Sequence, residues 1–262
     1  MRAAVMRNKT MVVADVPEPV PGPGQVLVET IACGICGSDL HTLLHAEKLA
    51  DAARASGAPF VFDLERDIVM GHEFSARVLT PGAGVTNVKP GDIVVSMPVL
   101  INADGFVGIG YSNEFPGGYA ERMLLTAGLC LPVPNGLDPR HAAMTEPMAV
   151  GLHAVAKSGI AKGDAALVLG CGPVGLAVIA ALKLAGIEPI VASDFSPVRR
   201  AFATRLGAHE VVDPKQEEAI AAWQRVAPNA PLVIFEAVGV PGMLDRAMRD
   251  APRAARILVV GV

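Results

Sequence analysis

Cys36, His72, Glu73 and Glu146 bring together a thiol, an imidazole and two carboxyls, the ligand types that Zn²⁺ takes. A catalytic zinc uses three such ligands and leaves a fourth position for water or substrate. Cys36 stands in ACGICGSDLH, so a hydroxyl on Ser38 and an imidazole on His41 follow close behind it. His72 and Glu73 are neighbours in MGHEF, and Glu146 lies in MTEPMAV. Taken singly, each residue has an ordinary alternative: a small buried thiol, a satisfied histidine, a glutamate in solvent. The ordinary alternative for Ser38 is a helix cap, and for His41 a surface position. Cys33 and Cys36 also spell C-x-x-C. A redox dithiol of that kind needs a βαβ context, whereas this pair sits in a turn-rich β region. Cys33, Cys130 and Cys171 therefore read as bystanders.

A second constellation follows the apolar run AALVL. Gly170-Cys171-Gly172-Pro173-Val174-Gly175 is a G-x-G-x-x-G that opens directly into a helix-forming stretch. The first glycine permits a tight turn, the second lets the backbone approach a pyrophosphate, and the third lets helix pack on strand. The helix N-terminus offers N–H groups and a positive dipole end to the phosphates. Alone, this is also what an ordinary strand-to-helix turn would show. Asp194, about 20 residues further on at the end of PIVAS, adds a carboxylate placed to accept from ribose hydroxyls. That carboxylate favours NAD over NADP, because it would repel a 2′-phosphate. Arg199 and Arg200 could turn toward a phosphate, with Arg199 the candidate contact; the simpler reading puts both on the exposed face of the following helix.

These residues need elements to position them. The first half is punctuated by PEPVPGPG, PGAG, KPGD and FPGG. Between them, 26–32, 74–79, 92–97 and 119–126 have strand character, which predicts a barrel-like or sandwich-like β domain over 1–150. Asp138 and Pro139 make a helix start, and a connecting helix bent near Pro147 is expected over 141–157. Beyond it strands and helices alternate to the end, the rhythm of a doubly wound parallel sheet over 151–262. Residues 165–182 carry no charge and just reach the length of a membrane helix. Gly170, Gly172, Pro173 and Gly175 inside the run favour strand, loop and buried helix instead.

The runs GPGQVLVETIACGICGSDLH, VMGHEFSARVL, VKPGDIVV, FPGGYAERMLL, EPMAVGLHA and VLGCGPVGLAVIAALKLAG resemble, in this order, the medium-chain zinc-dependent alcohol dehydrogenase family. The resemblance covers essentially the whole chain. It implies an α/β protein with an N-terminal GroES-like β-barrel catalytic domain and a C-terminal Rossmann domain. The activity implied is hydride transfer from an alcohol to NAD, giving an aldehyde or ketone. Cys36 and His72 would be zinc ligands; Glu146 would lie near the place of a further cysteine ligand in the family, and Glu73 would be the second or exchangeable carboxylate and a catalytic candidate, with the glutamate that binds the metal at rest left open. A carboxylate in place of a second thiolate is similar to the polyol and threonine dehydrogenase arm. Ser38 would touch the alcohol and pass its proton outward, by way of the cofactor ribose, to His41. Gly170, Gly172, Pro173, Val174, Gly175 and Asp194 would hold NAD, with Arg199 beside them.

Three departures qualify this. Residues 96–129 lack the four close cysteines of the family's structural zinc lobe, so one catalytic zinc is expected and no structural one. The stretch from Cys36 to His72 is longer than the family's, the excess lying in HAEKLADAARASGAPFVFDLERD. It could form a short amphipathic helix beside the active site or be a tolerated surface insertion. The chain ends at what reads as the fifth strand of the nucleotide sheet, where the resemblance implies a further strand and a return segment, so the Rossmann domain is expected to be incomplete. A homo-oligomer is implied for a longer form.

Other partners are limited. A formal net charge of −4 gives little support to nucleic-acid binding. The start, MRAAVMRNKTMVVADV, has no secretory pattern, and a cytoplasmic location away from membranes is expected. Two rivals use the same residues: a zinc-free reductase of the same superfamily, and a catalytically incompetent nucleotide-binding module.

Overall fold

The computed structural model describes residues 1–56, 63–103 and 105–261. The part of the expected insertion helix at 57–62 lies outside the described residues. The chain divides into two compact units, Met1–Glu146 and Pro147–Val262.

The first unit opens with a hairpin of β1 (Arg2–Arg7) and β2 (Thr10–Asp15), closed by Asn8 and Lys9 at φ 47° and 60°. Two positive-φ residues make the type I′ geometry that matches strand twist. β3 (Gln25–Cys33) leads into helix α1 (Gly37–Ser56), and β4 (Phe74–Pro81) and β5 (Ile93–Ser96) follow. β6 (Val99–Asn102) and β7 (Gly105–Gly108) form a second hairpin, before β8 (Arg122–Thr126) and β9 (Cys130–Pro132). The central sheet is antiparallel in the order β8-β3-β4-β5-β9. Val26, Val28, Val78, Val94 and Leu125 fill its core.

Two register shifts in β3, between Leu27 and Val28 and between Thr30 and Ala32, bend the strand where it runs toward Cys33. On α1, Asp39, Thr42, Ala46, Ala50 and Ala53 are the buried residues, a stripe three or four apart. His45 interrupts the helix with φ −132° and ψ 30°. The strands expected at 26–32, 74–79, 92–97 and 119–126 all form. β1, β2, β6, β7 and β9 are additional, and each pairs with a neighbour that makes so short a run worthwhile.

The connecting helix differs from expectation. Asp138 accepts from the Arg140 N–H at 2.8 Å and Pro139 opens α2 (Pro139–Ala142), as predicted. The helix then breaks, and α3 (Thr145–Ser158) starts afresh with the Thr145 hydroxyl donating to the Ala142 carbonyl at 2.7 Å. Pro147 bends nothing, because it occupies the first turn of α3, where an N–H has no intrahelical acceptor. The division between units falls within α3.

The second unit alternates: β10 (Ala165–Leu169), α4 (Pro173–Leu184), β11 (Ile190–Ser193), α5 (Pro197–Leu206), β12 (Glu210–Val212), α6 (Ala219–Val226), β13 (Leu232–Glu236), α7 (Met243–Asp250) and β14 (Arg256–Val259). All pairings are parallel, in the order β12-β11-β10-β13-β14. Strand order reverses at β10 and β13, whose carboxyl ends bound the crevice where such sheets bind ligands. Alternate residues of β10 feed different cores: Ala166 and Val168 meet α4, while Ala165 and Leu167 meet the layer holding Trp223. The uncharged run 165–182 is thus strand, loop and buried helix. Among the described residues, no helix is long and apolar enough to cross a membrane.

Candidate active site

Cys36 lies in the turn from β3 into α1, and His72 and Glu73 immediately precede β4. Pairing of β3 with β4 sets Cys33 opposite Phe74 and so brings the two segments side by side. The Gly34 N–H donates to the Glu73 carbonyl at 2.7 Å. A Cβ on Gly34 would lie 2.2 Å from the Glu73 carboxylate and 3.1 Å from the Glu73 Cβ, so a side chain here would push Glu73 aside. One ligand atom each from Cys36, His72 and Glu73 lie within 4.8 Å of one another. His72 and Glu73 are buried and Cys36 is partly exposed, which leaves the group one open side.

Asp39, which the sequence reading passed over, completes the arrangement. Only 1% exposed, its carboxylate accepts from the Tyr119 hydroxyl at 2.7 Å and the Cys36 N–H at 2.9 Å. Its other oxygen stands 3.5 Å from His72 Nδ1, and neither of those two atoms has another hydrogen-bond partner. A carboxylate behind a ligating imidazole fixes the ring's tautomer and orientation. A signal was present: an acidic residue in the first turn of the helix that follows the thiol.

Burial opposes protonation of His72, yet the nearby Asp39 carboxylate and Cys36 thiol raise its pKa to about 10. Burial would also raise the Asp39 carboxyl, but hydrogen bonds from His72, Tyr119 and the Cys36 N–H hold it below its ordinary value. Glu146 is half-buried. Burial raises its pKa, the charge of His72 opposes that, and Glu73 and Asp39 add to it. A thiol and three carboxyls facing one imidazole favour a cation among them, and the donor set suits zinc. Cys33, by contrast, is pushed up to about 12, chiefly by burial and then by Asp39, which suits an inert thiol.

Ser38 Oγ lies 3.5 Å from His72 Nε2 and accepts from the Tyr111 hydroxyl at 2.8 Å. The Tyr111 and His72 rings are 5.6 Å apart and inclined at 35°. Nothing in the local sequence singles out Tyr111 or Tyr119. His41 is exposed on α1, its ring 6.3 Å from that of His45, so the structure sets it outside the ligand group.

In the second unit Gly170 turns with φ +89°, a conformation suited to glycine. A Cβ on Gly175 would fall 1.9 Å from the Gly170 carbonyl oxygen, so the third glycine is required for helix α4 to close on the loop. Gly172 caps α4 and Pro173 is its first residue, followed by Val174. Asp194 accepts from the Cys171 N–H at 2.8 Å and from the Ser196 N–H at 2.7 Å. It thereby ties the end of β11 to the glycine loop. Arg199 is exposed and 3.9 Å from the Asp194 carboxylate. Arg200 departs from the exposed reading: its guanidinium donates to the Asp194 and Phe195 carbonyls and pairs with Asp213 at 3.2 Å. Those backbone acceptors, invisible to charge patterning, draw it inward. Buried Glu236 at the end of β13 was also missed; it accepts from the Val238 and Gly239 N–H groups at 2.8 and 3.0 Å.

The family profile described as Alcohol dehydrogenase GroES-like domain matches residues 22–135, and that described as Zinc-binding dehydrogenase matches 173–262. The (R,R)-butanediol dehydrogenase of Bacillus subtilis is 35% identical, over all of this chain and 78% of its own length. The chain belongs to the zinc-dependent medium-chain alcohol and polyol dehydrogenase family. Sorbitol dehydrogenase of Gallus gallus is 30% identical over 94% of this chain and 70% of its own. A zinc-binding dehydrogenase of Sinorhizobium meliloti, solved with NADP, superimposes with a TM-score of 0.83 at 28% identity, covering 100% of this chain and 76% of that one. As a member of the family the chain is an oxidoreductase acting on CH–OH groups, with GroES-like and Rossmann-like domains, and its cofactors are zinc and a nicotinamide dinucleotide.

Proposed function

We propose that the chain oxidises a small secondary alcohol, of the vicinal-diol or polyol class, to the ketone with NAD, using one catalytic zinc and no structural zinc. The carrying observation is the grouping of Cys36, His72 and Glu73 within 4.8 Å. These three would hold the zinc, and Glu146, outside that grouping, would be the second, exchangeable carboxylate. When bound, the metal supplies a Lewis acid that lowers the pKa of an alcohol.

The remaining steps belong to the chain's own groups. Asp39 holds the His72 ring. Ser38 accepts the alcohol's proton as hydride departs. His41, three residues along α1 and so on the same helix face, would release that proton to water. Gly170, Gly172, Pro173, Val174 and Gly175 would carry the pyrophosphate, and Asp194 the ribose hydroxyls, with Arg199 near them. The choice of NAD rests on Asp194, and a diol substrate on the relatives' names.

The test is zinc per chain by elemental mass spectrometry for the parent, Cys36→Ser and His72→Ala, with NADH formation from (R,R)-butane-2,3-diol. About one zinc in the parent, almost none in the variants, and turnover lost by at least about 10³-fold are expected. A folded parent without zinc would favour the nucleotide-binding module instead.

A further inference from the structure

We propose that Tyr111 is the positioning residue for the Ser38 hydroxyl, and that the inserted segment after His41 serves to hold Tyr111 in place. The inference rests on the reading above in which Ser38 receives the alcohol's proton. A hydroxyl has one proton and two lone pairs, and to relay a proton it must accept on one side while donating on another. A lone serine also rotates among three staggered wells. The 2.8 Å bond from Tyr111 occupies one lone pair and selects the well that sets Ser38 Oγ 3.5 Å from His72 Nε2. The other lone pair and the Ser38 proton are thereby left for the substrate and the exit path. Thr42, one turn along α1, donates to the Ser38 carbonyl at 2.8 Å and anchors the same turn.

Tyr111 can impose this because it is itself held. Its ring packs against a cluster that includes Leu43 and Ala50 of α1, Leu64, Ile68 and Met70. Two residues on, Asn113 clips the loop to the end of the insertion. Its Oδ1 accepts from the Asp63 N–H at 2.7 Å, and its Nδ2 donates to the Asp63 carbonyl at 2.9 Å, with the Asp67 and Arg66 carbonyls at 3.3 and 3.4 Å. Ser112 Oγ shapes the turn between them, accepting from the Glu114 and Phe115 N–H groups. Side chains and backbone at 50 and 63–67 of the insertion thus meet both the ring and the loop of Tyr111. That is more than a tolerated surface insertion would supply.

The test is a double-mutant cycle on the cobalt(II)-substituted protein, with Tyr111→Phe, Ser38→Ala and the pair. Phenylalanine keeps the ring and its packing and removes only the hydroxyl. Metal content is measured first, then the affinity for 2,2,2-trifluoroethanol from the cobalt visible bands. If Tyr111 acts through Ser38, Tyr111→Phe keeps one metal per chain and weakens probe binding about three- to tenfold, the span of one hydrogen bond. On the Ser38→Ala background the same change shifts affinity less than twofold. In turnover of (R,R)-butane-2,3-diol, kcat falls by more than KM rises. Equal losses on both backgrounds, or no loss on the parent, would overturn the role of Tyr111 while leaving the metal site standing. A parent that binds neither metal nor probe would overturn the alcohol-facing reading of Ser38, and this proposal with it.

Discussion

At the scale of single residues, the metal group depends on a side chain that ligates nothing. Asp39 sits behind His72 and is held by Tyr119 and the Cys36 N–H, so its charge and direction are set before a metal arrives. Replacing it by Asn keeps the shape but removes the charge that favours a ligating imidazole with its Nδ1 proton retained. Asp39→Asn is expected to lower zinc affinity by about 10–100-fold, read by competition with a chromophoric chelator. An unchanged affinity would mean the 3.5 Å approach is incidental. The metal-free His72, with its pKa near 10, carries a proton at neutral pH. Zinc must displace it, so binding is expected to release protons and to weaken as pH falls; calorimetry in buffers of different ionisation enthalpy measures the release. Ligand chemistry was legible in the residue types themselves. The grouping of Glu73 rather than Glu146 with Cys36 and His72 was not, because it depends on the β3–β4 pairing.

Elements set these distances. The glycine loop works because β10 ends where α4 must begin, and Gly175 lets them touch. Gly175→Ala places a methyl against the Gly170 carbonyl, and overpacking of this kind costs about 1–3 kcal/mol. It should abolish saturable NAD binding while zinc content stays at the parent's level; retained NAD affinity would show that the loop tolerates the shift. Asp194 accepts the Cys171 and Ser196 N–H groups, and in the proposed function it also binds the ribose. Asp194→Ala is expected to weaken NAD about tenfold or more, since buried donors left unpaired cost about 1–3 kcal/mol each, and to raise the NADP-to-NAD preference by a similar factor. Steady-state kinetics with both cofactors measures it. The alternation of strand and helix over the second half was readable, because the apolar runs of β10, β11 and β13 are buried on both faces and α4 and α5 each open on a proline. The break between α2 and α3 was not, because it depends on the Thr145 hydroxyl finding the Ala142 carbonyl rather than on Pro147.

At the scale of the whole molecule, each unit builds its own cores. The proposed metal donors Cys36, His72 and Glu73 all belong to the first unit, and Trp223, the single tryptophan, lies in a core of the second. Zinc stabilises the state that binds it by mass action. A chelator should therefore lower the melting transition followed by far-UV circular dichroism while the Trp223 fluorescence transition moves by no more than about 2 °C. Transitions that move together would show that the two units unfold as one. The chain spans 78% of the Bacillus subtilis relative, and β14 is the edge of its five-stranded sheet.

The sequence by itself determined which chemistry is available and in what order the elements come. Thiol, imidazole and carboxyl carry their ligand character wherever they stand, and burial periodicity, glycine turns and helix caps act over a few residues. Only the tertiary structure decided which of those groups meet. Asp39 reaches His72, Tyr111 reaches Ser38 and Arg200 turns to backbone carbonyls because strand register and helix packing bring distant or unpatterned atoms within 2.8 to 3.5 Å. Such contacts have no local propensity. They exist only once the apolar faces around them have been buried and the polar atoms left inside must find one another.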